Sequence, residues 1–264
     1  MVGDLVGSPG RMAFAQVVAR FKQEGAVDLV VVNAENSAGG RGLTAVLADE
    51  ILAAGADVIT LGDHTWDQKG FQTYLDREQR VIRPANFAPG CPGRGYVTID
   101  TDQGRVTVIN LIGRVFMPPA DCPFRKSDEI LRKESGLGKI VLVDIHAEAT
   151  SEKNVLGRYL DGRVSCVVGT HTHIQTSDDR VLPKGTAYIT DLGMTGSRDS
   201  AIGRDLASIT ARFLSGMPDK FVVATQDVIL EGIIVDVDPA TGRSTGIKRV
   251  RENVPGGKSH HVDE

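Results

Sequence analysis

The chain is poor in cysteine, has no strong excess of charge of either sign and contains no long apolar run. Its 264 residues include only three cysteines, Cys91, Cys122 and Cys166, and no Cys-x-x-Cys pair. This sparse, odd-numbered set argues against a disulfide framework and a zinc ribbon, and it favours a reducing cytoplasm. The formal net charge is −4. The protein therefore has no overall positive potential of the kind that attracts a nucleic-acid duplex or an anionic membrane.

Segments for membrane insertion or export are missing as well. No apolar stretch approaches the roughly 20 residues of a membrane-spanning helix, and the start, MVGDLVGSPG, has neither the basic end nor the apolar centre of a signal peptide. We therefore expect a cytoplasmic protein. The length suffices for one large α/β domain with a buried core. Because no linker divides the chain, we expect a single domain over residues 1–250 and a polar C-terminal tail over 251–264.

Apolar runs rich in Val, Ile and Leu alternate with helix-like segments. The runs are continuous, which is typical of strands buried on both faces, and with the intervening helices they predict a layered α/β/α sandwich. Ser8 is predicted to cap the first helix at its N-terminus, and Pro9 is predicted to be its first residue. Strands are predicted at 28–33, 57–61, 105–113, 139–145, 163–169 and 186–193, helices at 10–24, 43–55, 66–77 and 151–162, and an antiparallel pair within 221–250.

Residues of the types that commonly bind metals or catalyse reactions follow four of these predicted strands. In open α/β sheets, ligands bind beyond the carboxyl ends of the strands. Four of the six histidines lie at such positions. Helix capping does not explain them, because histidine is not a favoured N-cap residue. One such residue alone would be structural or merely exposed, but the combination indicates a reactive site. The set comprises Glu35, Asn36, Asp63, His64, His146, His171 and His173.

The spacing and chemistry of this set point to metal ions. His171 and His173 lie two residues apart, so both could face one site from an extended segment. Imidazole, carboxylate and amide oxygen suit Mn, Fe or Zn better than Mg or Ca. A single structural zinc uses four ligands, and the chain offers more candidates than that. The surplus predicts two metal ions that share a bridging carboxylate, as in phosphatases and nucleases.

Several sequence blocks resemble the bacterial YmdB-like calcineurin-type metallophosphoesterases, and they occur in family order over nearly the whole chain. GD alone is weak evidence, whereas DIHAEATSEK followed by GTHTH is specific. The resemblance implies the calcineurin-like α/β/α sandwich and a dinuclear phosphodiesterase that acts on 2′,3′-cyclic nucleotides. The blocks are GD (3–4), NAENSAGGRG (33–42), LGDHTWD (61–67), IRPANF (82–87), PGRGY (92–96), LIGRVFM (111–117), DIHAEATSEK (144–153), GTHTHIQT (169–176) and YITDLGMTG (188–196).

The resemblance also implies a role for each site residue. One metal ion, Fe or Mn with Zn as the alternative, would be held by Asp4, Glu35 and His173. Glu35 would bridge to a second ion, whose further ligands are Asn36, Asp63, His146 and His171. His64 would lie beside the substrate without binding a metal.

The implied reaction is in-line hydrolysis of a small-molecule phosphodiester. A hydroxide that bridges the two ions would attack phosphorus, and the ions would offset the developing charge. His64 would protonate the leaving ribose oxygen, because an imidazole titrates near neutral pH. Arg41, Arg94 and Arg114 lie in glycine-rich loops and could reach a phosphate, although arginines in such loops are more often only solvated.

Two features depart from the pattern. Most of the wider superfamily carries Gly-Asn-His where this chain has Gly62, Asp63 and His64, so a neutral amide becomes a carboxylate, and we expect an altered pH optimum. Only two residues precede Gly3. We therefore expect a truncated first strand, a start downstream of the natural one and unpaired backbone groups on the neighbouring strands. Asp4 would then lie on a fraying terminus.

Two other functions remain open at this point. An amidohydrolase also uses His-x-His, but on the first strand of a barrel, whereas the pair here follows the other ligand blocks. A regulatory protein that binds metal without turnover would fit the short N-terminus and Asp63. The sequence leaves open the physiological substrate, the native metal and assembly into a homo-oligomer.

Overall fold

Strands and helices alternate along most of the chain, and a long antiparallel hairpin follows. The computed structural model describes residues 1–133, 136–218 and 220–254. The first elements are β1 (Asp4–Leu5), α1 (Gly7–Gln23), β2 (Val31–Asn33), α2 (Ala45–Ala53), β3 (Val58–Thr60), α3 (Phe71–Arg77), β4 (Val81–Ile82), β5 (Tyr96–Thr101), β6 (Gly104–Ile112), α4 (Pro123–Lys133) and β7 (Ile140–His146). They are followed by α5 (Thr150–Tyr159), β8 (Cys166–Thr170), β9 (Arg180–Val181), β10 (Ala187–Ile189), β11 (Met194–Ser197), α6 (Leu206–Ser215), β12 (Val228–Val237) and β13 (Ser244–Asn253).

The strands form one large sheet and two smaller sheets that the N-terminus joins. The large sheet has the order β5-β6-β7-β8-β10-β9, and its central pairs β6–β7, β7–β8 and β8–β10 are parallel. The smaller sheets have the orders β2-β3-β4, all parallel, and β1-β11-β12-β13. Val2 bridges Val32 of β2 and Gly232 of β12, so the two smaller sheets act as one layer.

Three apolar clusters place these sheets between two layers of helices. One cluster packs α1, α2 and α3, with Phe14 at its centre, against the smaller sheets. The second lies between the sheets and includes Val31 and Leu142. The third packs Ile130 of α4 and Leu156 of α5 against the large sheet. The expected layered sandwich is confirmed, and its β layer is double, so the order is helices, sheet, sheet, helices.

The first helix begins earlier than expected. The prediction that Ser8 caps it is wrong, because α1 starts at Gly7 with Val6 as its N-cap and without a side-chain cap. β1 leads directly into the helix through Gly7, whose φ is 60° and whose N–H donates to the Asn36 carbonyl (2.9 Å). Pro9 lies in the first turn, where a missing N–H costs no intrahelical bond.

Residues 1–5 pair on both sides although the first strand itself has only two residues. The Val2 N–H donates to the Val31 carbonyl (2.8 Å), and an N–H of β12 donates to the Met1 carbonyl (2.8 Å). The expectation of unpaired neighbours and a fraying Asp4 is therefore wrong, and Asp4 is completely buried. An extended segment presents its backbone groups alternately to two neighbours, so even a short one bonds to both.

The antiparallel pair predicted near the C-terminus is present as β12 and β13, which pair from Ile229 with Asn253 to Val237 with Ser244. Residues 198–218 and 220–227, which we call the β11–β12 connection, lie between β11 and β12 and include α6. Residues 251–253 continue β13, and residues 255–264 of the predicted tail lie outside the described residues. None of the helices described is both long and apolar enough to pass through a bilayer.

Candidate metal centre

The loops that follow β2, β3, β7 and β8 meet at one edge of the molecule. β2 and β3 are parallel with Asn33 opposite Thr60, and β7 and β8 are parallel with His146 opposite Thr170. Each pair therefore ends at one level, and the residues that follow converge. The structure brings together Glu35 and Asn36 after β2, Asp63 and His64 after β3, His146 at the end of β7, and His171 and His173 after β8.

His146 lies at the centre of a cluster of four ligand-type residues. Its Nε2 atom is 2.9 Å from Glu35 Oε1, 3.0 Å from Asp63 Oδ1 and 3.0 Å from His171 Nδ1. One ligand atom from each residue lies within 4.8 Å of the others. Two imidazoles and two carboxylates that converge in this way, with Glu35 and His146 buried, fit a transition-metal cation better than Mg or Ca.

Two more predicted ligands carry buried oxygen atoms that lack a hydrogen-bond partner among the described residues. They are Asp4 Oδ1 and Asn36 Oδ1. Asp4 Oδ1 lies 3.7 Å from His173 Nε2, whereas the Asn36 amide nitrogen donates to the Gly40 carbonyl (3.3 Å). An unpaired buried acceptor costs about 1–3 kcal/mol, and coordination of a cation would remove that cost. The residues present therefore fit the predicted metal group.

The ionisation of the cluster favours a positive charge at its centre. Burial raises the pKa of Asp4 to about 7, His146 opposes the rise, and Asp191 and Glu35 add to it. Burial also opposes the ionisation of Asp63, but hydrogen bonds with His146 and His171 outweigh it and hold the pKa of Asp63 well below its usual range. Burial would lower the pKa of His146, yet Glu35 and Asp63 raise it well above the ordinary value.

Buried polar groups fix the ring of His146. Its Nδ1 atom lies 3.0 Å from the Thr170 hydroxyl, which itself donates to Asp144 Oδ1 (2.8 Å). The Thr60 hydroxyl donates to the other oxygen of Asp144 (2.6 Å). Because the Thr170 proton is committed to Asp144, its oxygen accepts from Nδ1, and Nε2 faces the cluster. Partners of this kind orient the metal-binding histidines of other proteins.

The His171–Thr172–His173 segment reaches the cluster by a different geometry from the one expected. The premise of an extended segment is wrong, because His171 has φ 100° and His173 has φ 63°. The His171 N–H donates to Asp4 Oδ2 (3.2 Å), and His173 Nδ1 lies 3.0 Å from the Ile202 carbonyl. Both imidazoles still line one pocket.

A buried ion pair holds the middle of this segment. Thr172 donates to Asp191 Oδ2 from its backbone N–H (3.2 Å) and from its hydroxyl (2.7 Å). Lys153 Nζ lies 2.7 Å from the same oxygen, and the side chains of Lys153 and Asp191 are fully buried. Lys153 comes from α5, so this pair ties the helix to the histidine segment.

His64 lies beside the cluster without belonging to it. Its Nδ1 atom is 2.8 Å from Asp67 Oδ2, which also accepts from Arg41 Nε (2.6 Å). The His64 backbone N–H donates to Glu35 Oε2 (3.0 Å). Its Nε2 atom lies 3.9 Å from Asp63 Oδ2. Asp67 thus turns the second nitrogen of His64 towards the centre of the site.

A pocket of about 270 Å³ opens over these residues. Sequence reasoning missed part of its wall, namely Ile202, Arg204 and Phe221 of the β11–β12 connection, because no motif marks them. Arg94 and Arg114 are exposed, and neither is among the described residues of the lining. Arg41 is likewise not among the described lining residues, and it pairs with Asp67. The lining consists of Glu35, Asn36, Gly40, His64, Glu148, His171, Thr172, His173, Ile202, Arg204 and Phe221.

Comparisons with known proteins agree with this arrangement. A family model described as YmdB-like protein matches residues 1–250. The chain is 45% identical over 252 residues to the 2′,3′-cyclic-nucleotide 2′-phosphodiesterase of Bacillus subtilis, and the alignment covers 96% of each chain. A crystal structure of a hypothetical protein from Thermus thermophilus superposes with a TM-score of 0.90 at 39% identity, over 96% of this chain and 98% of that one. The structure of a novel phosphatase from Mycoplasma pneumoniae superposes with a TM-score of 0.89 at 34% identity, over 96% and 92%.

Proposed function

Since the chain belongs to the YmdB-like family, we propose that it hydrolyses 2′,3′-cyclic nucleotides or related phosphodiesters at a dinuclear metal centre. The convergence of Glu35, Asp63, His146 and His171 within 4.8 Å, directly beneath a pocket, carries this proposal. The name of the Bacillus subtilis relative, a 2′,3′-cyclic-nucleotide 2′-phosphodiesterase, supports the choice of substrate and of the bond to the ribose 2′ oxygen.

Two groups of side chains would hold the ions. Asp4 and His173 lie together on one side, the His146 cluster lies on the other, and Glu35 would bridge between them. Asn36 would turn its unpaired oxygen to the second ion. Bound there, two Fe or Mn ions would supply Lewis-acid charge and an activated water as nucleophile.

The chain's own residues would orient the substrate and move its protons. His64 presents Nε2 to the pocket while Asp67 accepts from Nδ1. In this orientation His64 would give a proton to the ribose oxygen as the bond to phosphorus breaks. A ribose alkoxide is a poor leaving group, so the proton is needed during cleavage.

The fold bears on the alternative functions. The amidohydrolase alternative requires a closed barrel, whereas the described strands form open sheets. A purely regulatory role would need no proton donor and no substrate pocket, yet His64 is oriented by Asp67 and faces a pocket of about 270 Å³. Both observations favour the phosphodiesterase.

Hydrolysis by the metal-loaded protein should be fastest with 2′,3′-cyclic nucleotides. We expect slower turnover of 3′,5′-cyclic nucleotides and linear diesters, loss of activity on chelation, and recovery with Mn²⁺ or Fe²⁺. The measurement is formation of the phosphomonoester product, followed by chromatography across this set of substrates, with Glu35→Gln as the inactive control. Undiminished hydrolysis in excess chelator, or no hydrolysis of any diester by fully loaded protein, would contradict the proposal.

Asp63→Asn should give an active enzyme whose pH–rate profile lies about 1 unit lower than that of the wild type. Although burial opposes it, Asp63 is ionised at neutral pH, because hydrogen bonds with His146 and His171 hold its pKa low. A carboxylate stabilises protonated neighbours, so an amide in its place lets acidic groups in the pocket release their protons at lower pH. Turnover of a 2′,3′-cyclic nucleotide is measured from pH 5 to 10 at saturating metal. Superimposable profiles would refute the effect of Asp63.

A further inference from the structure

The β11–β12 connection forms the wall of the pocket that faces the predicted metal ligands. Two backbone hydrogen bonds fasten its halves together: the Ala224 N–H donates to the Gly203 carbonyl and the Asp205 N–H to the Val222 carbonyl, each at 2.9 Å. The wall is also tied to the site, because the Ile202 carbonyl lies 3.0 Å from His173 Nδ1. The backbone on either side of Arg204 and Phe221 is therefore tied together, and both side chains line the pocket.

Among the described residues, Arg204 has no anionic partner. Within residues 1–133, 136–218 and 220–254, no carboxylate lies within ion-pair distance of its guanidinium. The group is partly buried, and the pKa of Arg204 is lowered first by this burial and second by the positive charges of Arg212 and Arg41. A partly desolvated cation among like charges is stabilised by an anionic ligand.

Phe221 fixes the plane of this guanidinium. Arg204 Cζ lies 4.1 Å from the centroid of the Phe221 ring, which is the distance of a cation–π contact. The ring in turn packs on Gly40, which has φ 89°, and a Cβ atom on Gly40 would overlap it. Only glycine at position 40 therefore lets the ring approach. One face of the guanidinium is covered by Phe221, and its N–H groups remain available to the pocket.

We infer that Arg204, supported by Phe221, binds the phosphate group of the substrate from the side facing the metal ligands. This inference rests on the proposed function and identifies the arginine that contacts the phosphate group of the substrate. The floor of the pocket is acidic through Glu35 and Glu148, and the facing wall is basic through Arg204. With cations held by the acidic residues, a phosphodiester monoanion in this pocket would be attracted both by them and by the guanidinium. The planar fork of an arginine matches two phosphate oxygens, which a lysine cannot match.

Binding and kinetics of Arg204→Met and Arg204→Lys test the inference on the metal-loaded protein. Arg204→Met should weaken the binding of adenosine 3′-monophosphate, followed by calorimetry, by about 10- to 100-fold, since it loses charge-assisted hydrogen bonds. It should lower kcat/KM for the 2′,3′-cyclic nucleotide by a similar factor, with unchanged metal content. Arg204→Lys should recover only part of the loss. Arg212→Met is the matched control, because Arg212 is an exposed arginine on α6 outside the pocket lining.

The two readouts separate this inference from the proposed function. If the wild-type protein binds the nucleotide through Arg204 but hydrolyses no diester, the phosphate-binding role stands and the proposed reaction fails. If the wild-type protein hydrolyses the diester and Arg204→Met binds the nucleotide as tightly as the wild type and the Arg212→Met control do, Arg204 does not contact the phosphate. Equal losses in Arg204→Met and Arg212→Met would likewise overturn the inference, because they would reflect only the total charge near the site.

Discussion

His64→Ala should lower the turnover of 2′,3′-cyclic nucleotides by about 10²–10⁴-fold, the usual contribution of a general acid, while the metal content stays at the wild-type level. The retention of metal follows from geometry, because the His64 ring pairs with Asp67 (2.8 Å) and lies outside the four-residue cluster. Single-turnover rates and elemental analysis of the same preparation measure the two effects separately.

The leaving group supplies the control for this prediction. A p-nitrophenyl phosphodiester releases a stable phenolate and needs little protonation, so His64→Ala should lose far less activity with it than with the ribose diester. Asp67→Asn should show a smaller loss than His64→Ala, because the imidazole remains and only its orientation is weakened. If His64→Ala instead lost its metal, His64 would be a ligand and not the proton donor.

Lys153→Met should lower the free energy of unfolding by about 3–5 kcal/mol, the usual cost of leaving one member of a buried ion pair uncompensated. Lys153 and Asp191 are both fully buried and lie 2.7 Å apart. Without the ammonium group, Asp191 would keep its hydrogen bonds from Thr172 but lose its counter-charge. Urea unfolding followed by circular dichroism measures the change.

A surface pair provides the comparison. Lys126 Nζ lies 2.9 Å from Glu129 Oε2, but both side chains are partly exposed, so Lys126→Met should cost less than about 1 kcal/mol. The double variant Lys153→Met/Asp191→Leu should recover part of the stability, since neither member of the pair is left as an uncompensated buried charge. It should still bind metal weakly, because Thr172 loses its acceptor. Equal small losses for Lys153→Met and Lys126→Met would show that the buried pair has no special weight.

The ligand cluster could be predicted from the sequence because it depends on local rules. Parallel strands that are joined by helices end at the same edge of their sheet, so the residues that follow β2 and β3 meet, and so do the residues at the ends of β7 and β8. Glu35 and His146 are about 110 residues apart in the chain, and their strands belong to different sheets. Each lies at the carboxyl end of a strand, and the packing of the two sheets brings them to 2.9 Å from one another.

The substrate side of the pocket could not be predicted, because no local rule places it there. Arg204 and Phe221 lie in the β11–β12 connection, whose path is set by backbone bonds between residues 203–205 and 222–224. The glycine-rich loops in the sequence instead indicated Arg41, Arg94 and Arg114 as candidate phosphate ligands. The pairing of the N-terminus with two sheets could likewise not be predicted from the sequence, because it depends on which strands lie beside Val2 and not on the identity of Val2.

The left-handed backbone at His171 and His173 links the assembly of the site to folding. Each non-glycine residue in such a conformation costs about 1–3 kcal/mol, and here the contacts of Asp4 and of the Lys153–Asp191 pair offset that cost during folding. The segment is therefore preorganised, and a cation that binds it loses little of its binding energy to ordering the loop. Metal affinity and thermal stability should consequently change together across variants. A variant with a weakened Lys153–Asp191 pair should lose its metal at a temperature below that of global unfolding.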